Sequence, residues 1–360
     1  MSESKFNVFI GYPIIFQNRR HLPLPEKLIE KVMSILVTGS AGHLGEALMR
    51  SLRAQAGTTV TGLDIKHSAY TDLVGDIADR DFVKTAMRGI QTVIHTATLH
   101  KPHVATHSKQ DFVDTNITGT LNLLEEAVLN GVSAFLFTST TSTFGAAMNP
   151  GKGEPAAWIT EEVVPQPKNI YSVTKLAAEN LCELFYRKSG LPVLILRTSR
   201  FFPEDDDNAE TRQLYETPNV QALELTYRRV DIADAVSAHL LAMEKAGAIG
   251  FGKYIISATT PFTTSHLAQL HSDAPAVIRS LYPECEGLFE AADWKLFPEI
   301  DRVYVNERAR RELGWEPGYD FAHVLRCLRD GTDFRSQLAR EVGSKGYHEE
   351  EFEEGPFPVE

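Results

Sequence analysis

The sequence is poor in cysteine, has no long apolar run and carries a deficit of positive charge. Its three cysteines, Cys182, Cys285 and Cys327, form no C-x-x-C pair. That spacing excludes a zinc knuckle and a small disulfide scaffold, and it suits a reducing cytoplasm. No apolar stretch approaches the roughly 20 residues that a membrane helix requires. The apolar segment 6–16 is interrupted by Asn7, Gly11 and Pro13, and no small-residue cleavage site follows it. A net charge of −12 sets the overall field against nucleic acid and anionic membranes. The expected protein is cytoplasmic, with neither nucleic acid nor membrane as a partner. No internal repeat is present either.

What remains is a chain of 360 residues, 43% of them hydrophobic, enough for one large core and an attached lobe. Continuously apolar strand candidates lie at 35–38, 59–64, 73–76, 92–95, 134–138, 193–197 and 254–257. Amphipathic segments at 45–56, 112–130 and 171–188 separate several of them. Apolar strands alternating with helices predict an α/β fold, a doubly wound parallel Rossmann sheet covered on both faces. The core is expected at 33–200, completed by 229–258. Loops, prolines and acidic clusters at 201–228 and 259–345 predict a smaller C-terminal lobe that binds substrate at the sheet's edge. Residues 1–32 read as an extension, either an upstream start before Met33 or an arm for a partner subunit. Residues 346–360 read as a solvated acidic tail.

Directly after the first strand comes Thr38-Gly39-Ser40-Ala41-Gly42-His43-Leu44-Gly45. In such a turn Gly39 makes the tight bend, Gly42 lets the backbone approach a pyrophosphate, and Gly45 lets the helix pack closely on the strand. The second strand ends at Asp64, where a carboxylate accepts hydrogen bonds from an adenosine ribose and repels a 2′-phosphate. NAD is the expected cofactor; Lys66 and His67 soften the preference and leave NADP open.

Tyr171 and Lys175 stand four residues apart on one helix face. A phenol near pKa ~10 must drop by about 3 units to act as a base at neutrality, and a nearby ammonium stabilises the phenolate. The hydroxyl run from Thr138 to Thr143 closes the fifth strand, where it can hydrogen-bond a substrate oxygen.

Together these residues resemble the extended short-chain dehydrogenase/reductase family, the branch of NAD-dependent sugar-nucleotide epimerases and dehydratases. The similarity runs over 34–340. It includes Gly75-Asp76-Ile77, His95-Thr96-Ala97-Thr98, Asn116, Leu196-Arg197, Arg229-Val230-Asp231-Ile232-Ala233-Asp234 and Arg310-Arg311-Glu312-Leu313-Gly314-Trp315. The resemblance implies that Tyr171 is the general acid/base, that Lys175 holds the nicotinamide ribose, and that Thr140 polarises the substrate oxygen. It implies a proton relay organised by Asn116, and an adenine contacted by Asp76 and Ile77. Ala41, His43, Leu44, Thr96, Ala97, Thr98, Thr138 and Arg197 are placed beside the cofactor, and a homodimer through helices 112–130 and 171–188 is implied.

The departures bear on the reaction. Thr141 and Ser142 stand where dehydratases of the family carry Asp-Glu, which disfavours dehydration. Only residues 198–230 separate Arg197 from Asp231, and they include Glu204-Asp205-Asp206-Asp207, a poor surface for a nucleotide diphosphate. A small, oxygen-rich substrate is expected, lined by Thr140, Thr141 and His100. Arg200 either pairs with a substrate carboxylate or with that acidic run. The clustered His95, His100, His103 and His107 lack a completing carboxylate or cysteine until Asp111, so no metal is expected. The expected activity is hydride transfer between NAD(P) and a hydroxyl or carbonyl of a sugar-like compound. A sugar epimerase with tightly held NAD and a non-catalytic dinucleotide-binding regulator are the alternatives.

Overall fold

The computed structural model describes residues 33–346; the expected extension 1–32 and nearly all of the expected acidic tail lie outside the described residues. Among the described residues there are nine strands: β1 Met33–Thr38, β2 Thr58–Asp64, β3 Leu73–Val74, β4 Thr92–His95, β5 Ala134–Thr140, β6 Ala157–Ile159, β7 Val193–Thr198, β8 Phe251–Ile256 and β9 Arg302–Tyr304. Seven of them form one sheet in the order β3-β2-β1-β4-β5-β7-β8. Every pairing is parallel, with Thr38 opposite both Leu63 and His95, and Leu196 opposite Tyr254. The chain winds outward in both directions from β1 and β4. Their carboxyl ends therefore form the crevice where open α/β sheets bind ligands.

Successive β1 side chains point to opposite faces, so both faces must be covered. Ile35 and Val37 pack with helices His43–Arg53 and Ile232–Ile249. Leu36, with Val93, Phe135 and Phe137, packs on the opposite side with helices Gly119–Leu129 and Ile170–Ser189. A separate apolar cluster joins Leu223, Leu270, Ile278, Phe289, Phe321 and Val324 from the later helices. Ala309, Leu313, Trp315 and Val342, expected in the lobe, instead pack into the sheet's own core. The indole N–H of Trp315 donates to Asp234 O at 3.1 Å and anchors that segment against helix Ile232–Ile249.

The main-sheet strands expected from sequence all form, with ends that shift by a few residues. β8 begins at Phe251 rather than Tyr254, and β3 stops at Val74. The two-stranded parallel pair β6 and β9, Trp158 opposite Val303, was not expected. Each strand is only three residues long, too short for a periodic signal.

Candidate active site

The crevice opens into a cavity of about 1090 Å³. At one end β1 turns into helix His43–Arg53 through the glycine turn, and Gly39 adopts φ +75°. The N–H groups of Gly39 and Ser40 donate to Leu63 O at 2.7 and 3.2 Å, which fixes the turn against β2. A Cβ on Gly39 would lie 2.6 Å from Ala97 N, and one on Gly45 only 1.9 Å from Gly39 O. The chain's own packing thus demands those two glycines. Gly42 differs: its closest neighbour is Gly39 O at 3.3 Å, and its φ of −77° suits any residue. A Cβ there would be tight against that carbonyl without the severe overlap seen at Gly39 and Gly45, and Gly42 borders the cavity at the helix N-terminus.

Asp64 ends β2 with Oδ2 accepting from the Ala41 N–H and Oδ1 from the Lys66 N–H, both at 2.9 Å. Its carboxylate is fixed in orientation at the cavity wall beside Gly75, Asp76 and Ile77. Ile77 is buried against Gly119, where a Cβ would come within 2.5 Å of it. Asp76 accepts from the Ala78 N–H at 2.8 Å. Ala41, His43, Leu44, Thr96, Ala97, Thr98 and Thr138 also line the cavity. Thr96 Oγ1 donates to Thr38 O at 2.7 Å and joins the ends of β1 and β4. An extended dinucleotide fits this wall by its chemistry: a bare glycine at a helix N-terminus, with a backbone-anchored carboxylate at the next strand end.

Thr140, Tyr171 and Lys175 come together at the centre. Asn169 caps the helix Ile170–Ser189, its Oδ1 accepting from the Ser172 N–H at 3.0 Å, and this starts the helix at the residue before Tyr171. Thr140 and Tyr171 both line the cavity, close enough for the Thr140 side chain to act on the phenol. Thr140 Oγ1 accepts from the Ser142 N–H at 3.1 Å. Lys175 Nζ donates to Thr138 O at 2.7 Å and lies 4.1 Å from the Phe137 ring centroid. Burial pushes the Tyr171 phenol up to about 12, against the opposing pull of the Thr140 side chain, and lowers Lys175 to about 7. Both groups are enclosed, and desolvation favours the neutral form of each.

Two expected residues lie elsewhere. Arg197 does not line the cavity: Nε and Nη2 donate to the two oxygens of Glu179 at 3.0 and 2.7 Å, inside the protein. A guanidinium on a central strand is buried, and a buried charge needs such a partner. Asn116 is also enclosed, within the π-helical turn Asp114–Thr118. Its Oδ1 accepts from the Leu99 N–H and Thr98 Oγ1 at 2.9 Å, and its Nδ2 donates to Leu99 O and Thr174 Oγ1. Those bonds tie the loop after β4 to the helix behind it, and none reaches Tyr171 or Lys175.

Of the two readings of Arg200, the geometry supports the acidic run. Its Nη1 lies 2.6 Å from Asp206 Oδ2, 3.5 Å from Glu224 Oε1 and 3.7 Å from Asp207 Oδ1. Thr141 and His100 both border the cavity, the latter edge-on to His103 at 4.7 Å. His95, by contrast, is buried between Thr38 Oγ1 and Thr120 Oγ1 at 2.7 and 3.0 Å, and burial holds it well below its usual pKa.

Sequence reasoning missed much of the remaining wall. Glu204 accepts from His43 Nε2 at 2.7 Å, Ser344 Oγ at 2.8 Å and the Lys345 N–H at 3.0 Å, while Lys345 Nζ pairs with Glu46. These contacts strap the C-terminal segment across the glycine turn. Ser199, Arg228, Arg302 and Tyr304 line the cavity from the other side. Arg228 directly precedes the Arg229–Asp234 motif, so one signal lay next to it; Arg302 has none.

Comparison with known proteins agrees with this architecture. Residues 35–256 match the model of the NAD dependent epimerase/dehydratase family, and the chain belongs to that family. An uncharacterized protein of Sinorhizobium fredii is 34% identical over 46% of this chain, although the match spans only 40% of that protein. A low-salt glycan biosynthesis protein of Haloferax volcanii is 27% identical over 83% of this chain and 98% of its own length. A short-chain dehydrogenase/reductase superfamily protein from Agrobacterium tumefaciens, solved with bound NAD, superposes with a TM-score of 0.58 at 22% identity, covering 86% of this chain and 99% of that one. The fold is that of the extended short-chain dehydrogenases/reductases, and the family's cofactor is NAD.

Proposed function

We propose that the protein transfers hydride between NAD and a hydroxyl or carbonyl carbon of a small oxygen-rich, sugar-like substrate. The observation that carries this reading is the gathering of Thr140, Tyr171 and Lys175 in the one cavity that the glycine turn and Asp64 border. Gly42 and the N-terminus of helix His43–Arg53 would hold the pyrophosphate, Asp64 the adenosine ribose, and Asp76 with Ile77 the adenine. When bound, the cofactor supplies a hydride acceptor or donor and a charge that changes with its redox state.

The chain's own residues handle the proton. Thr140 and Tyr171 present adjacent hydroxyls to one substrate oxygen, which orients the carbon that bears it. With its pKa pushed up to about 12, Tyr171 rests protonated, the form that can donate to a carbonyl oxygen. In the reverse direction Tyr171 must first give up its proton so that the phenolate can accept the one from the substrate hydroxyl, and a charged Lys175 one helical turn away would stabilise that phenolate. Dehydration is a poor reading. Thr141 and Ser142 cannot act as carboxylic acids, and Glu204 and Asp207 on the wall are held ionised at about 2 by His43 and by Lys101, against their burial.

The strap formed by Glu204, Ser344 and Lys345 over the glycine turn favours a second reading, an epimerase that retains its NAD. We also read the protein as a cytoplasmic homodimer. Exposed Val128 and Leu129 on one helix and Val173 and Leu184 on another offer apolar surface to a second copy.

A screen at 340 nm with NAD and NADP against sugars, sugar acids and polyols tests the main reading. Cofactor reduction by one class, lowered about 10³-fold in Tyr171→Phe with NAD affinity retained, is the expected result. Copurifying NAD with no net absorbance change would favour the epimerase. Full activity in Tyr171→Phe would overturn both.

A further inference from the structure

We propose that the substrate is a carboxylic acid, its carboxylate held by Arg228 and Arg302 with the Ser199 hydroxyl as a third donor. This inference deepens the hydride-transfer reading and rests on it for the reacting end of the substrate. Binding of the acid end stands apart from turnover.

Four residues of the cavity wall carry a buried polar atom without a hydrogen-bond partner among the described residues: Ser199 Oγ, Glu204 Oε2, Arg228 Nε and Arg302 Nε. Three of these are donors. Buried donors in native proteins are almost always satisfied, so unpaired ones on the wall of a binding cavity point to a ligand acceptor. The three come from separate segments. Ser199 follows β7, with its N–H fixed on Ile256 O at 2.9 Å, and its side chain is enclosed, with the residue only 3% exposed. Arg228 precedes Arg229, which bridges to Arg200, and Arg302 opens β9. Backbone bonds from the Arg200 N–H to Arg228 O at 3.3 Å and from the Tyr304 N–H to Tyr227 O at 2.9 Å draw the three segments together.

The donor set selects an oxyanion, because a guanidinium fork matches the planar oxygens of a carboxylate. The neighbouring charges narrow the choice. Arg228 already lies 2.7 Å from Glu224 Oε1 and 3.5 Å from Asp206 Oδ2, and Arg302 Nη1 lies 2.8 Å from Asp301 Oδ2. Each arginine is partly neutralised, so little surplus positive charge remains. A carboxylate monoanion suits that balance, whereas a phosphate dianion meets Glu224, Asp206 and Asp301 with repulsion. Arg200, the more obvious candidate from sequence, is occupied by its three carboxylates.

Calorimetric titration of the NAD-saturated full chain tests this with glycerate, gluconate, glucuronate, glucose and glucose 6-phosphate. At least one carboxylate is expected to bind ten times more tightly than glucose and than the phosphate. Arg302→Gln should weaken that carboxylate about 10- to 100-fold, and Ser199→Ala about threefold, with NAD affinity within twofold of the wild type. Because Arg228 belongs to a buried ion network, Arg228→Lys accompanies Arg228→Gln, and only variants that keep the wild-type melting temperature are scored. Glucose binding as tightly as the acids, binding of no carboxylate, or unchanged affinity in Arg302→Gln would each overturn the proposal. A preference for glucose 6-phosphate would overturn the carboxylate assignment in favour of a phosphate. Carboxylate binding that persists in an enzyme without turnover would instead count against hydride transfer alone.

Discussion

The two ends of the cavity are built on different plans. The cofactor end is local in sequence and made largely of backbone: a strand, a turn of glycines, a helix N-terminus and one carboxylate fixed by two N–H groups. The proposed substrate end is made of side chains from Thr140, Ser199, Arg228 and Arg302, carried by β5, β7, a bridge and β9. Its charges are balanced pair by pair, through Glu224, Asp206 and Asp301. A backbone site tolerates wide drift in the rest of the chain while its glycines persist. A side-chain site is free to change ligand by single substitutions, which suits a family that shares one cofactor and varies its substrates.

The largest effect expected from this contrast separates the glycines. Gly45→Ala drives a Cβ to within 1.9 Å of Gly39 O, where only backbone can yield, so a loss of about 3 kcal/mol or more and a clear fall in melting temperature are expected. Gly42→Ala meets only Gly39 O at 3.3 Å. Its melting temperature should stay within about 2 °C of the wild type while NAD binding weakens roughly tenfold, since the new methyl stands where the backbone must approach a ligand. Equal loss of stability in both variants would place Gly42 among the packing glycines and remove it from the cofactor site.

These cases also show what could be read in advance. The strand–turn–helix unit was legible because its residues are contiguous and a glycine pattern has few other uses after an apolar strand. Tyr171 and Lys175 were legible because one helical turn sets their spacing. Arg197 was misplaced because a sequence does not say that Glu179, eighteen positions earlier, folds back to pair with it. Arg200 left two readings open, and only three-dimensional placement brings Asp206, Asp207 and Glu224 around it together. Arg302 and Ser199 carried no signal. Nothing in the local sequence marks either as a wall residue, and β6 with β9 is too short to produce a pattern.

A smaller effect concerns cofactor choice. Asp64→Asn keeps the acceptor for the Ala41 N–H but removes the charge. A charge-assisted hydrogen bond exceeds a neutral one by about 1–2 kcal/mol, so kcat/KM with NAD should fall roughly 5- to 30-fold and use of NADP should rise. If the ratio of the two cofactors did not change, Asp64 would be only an anchor for the turn, and NAD selectivity would have to come from elsewhere on that wall.

The smallest effect tests the strap that joins the cofactor end to the C-terminal segment. The hydrogen bond and charge of His43, with the Lys345 N–H, outweigh burial and hold Glu204 at about 2, below the ordinary 4.5. A carboxyl whose pKa is depressed by folding contributes stability above its unfolded pKa, and that contribution fades as pH falls toward the folded value. For Glu204 the loss begins near pH 4.5 and is complete below pH 2, reaching about 1 kcal/mol at pH 4 and about 2 kcal/mol at pH 3. Glu204→Gln removes the titrating group, so the gap in urea stability between wild type and variant should be widest at pH 7 and narrow by those amounts on acidification. A gap that stayed constant between pH 7 and pH 3 would mean that Glu204 is not held ionised by His43 and the strap. The closure over the glycine turn would then rest on Lys345 and Glu46 alone.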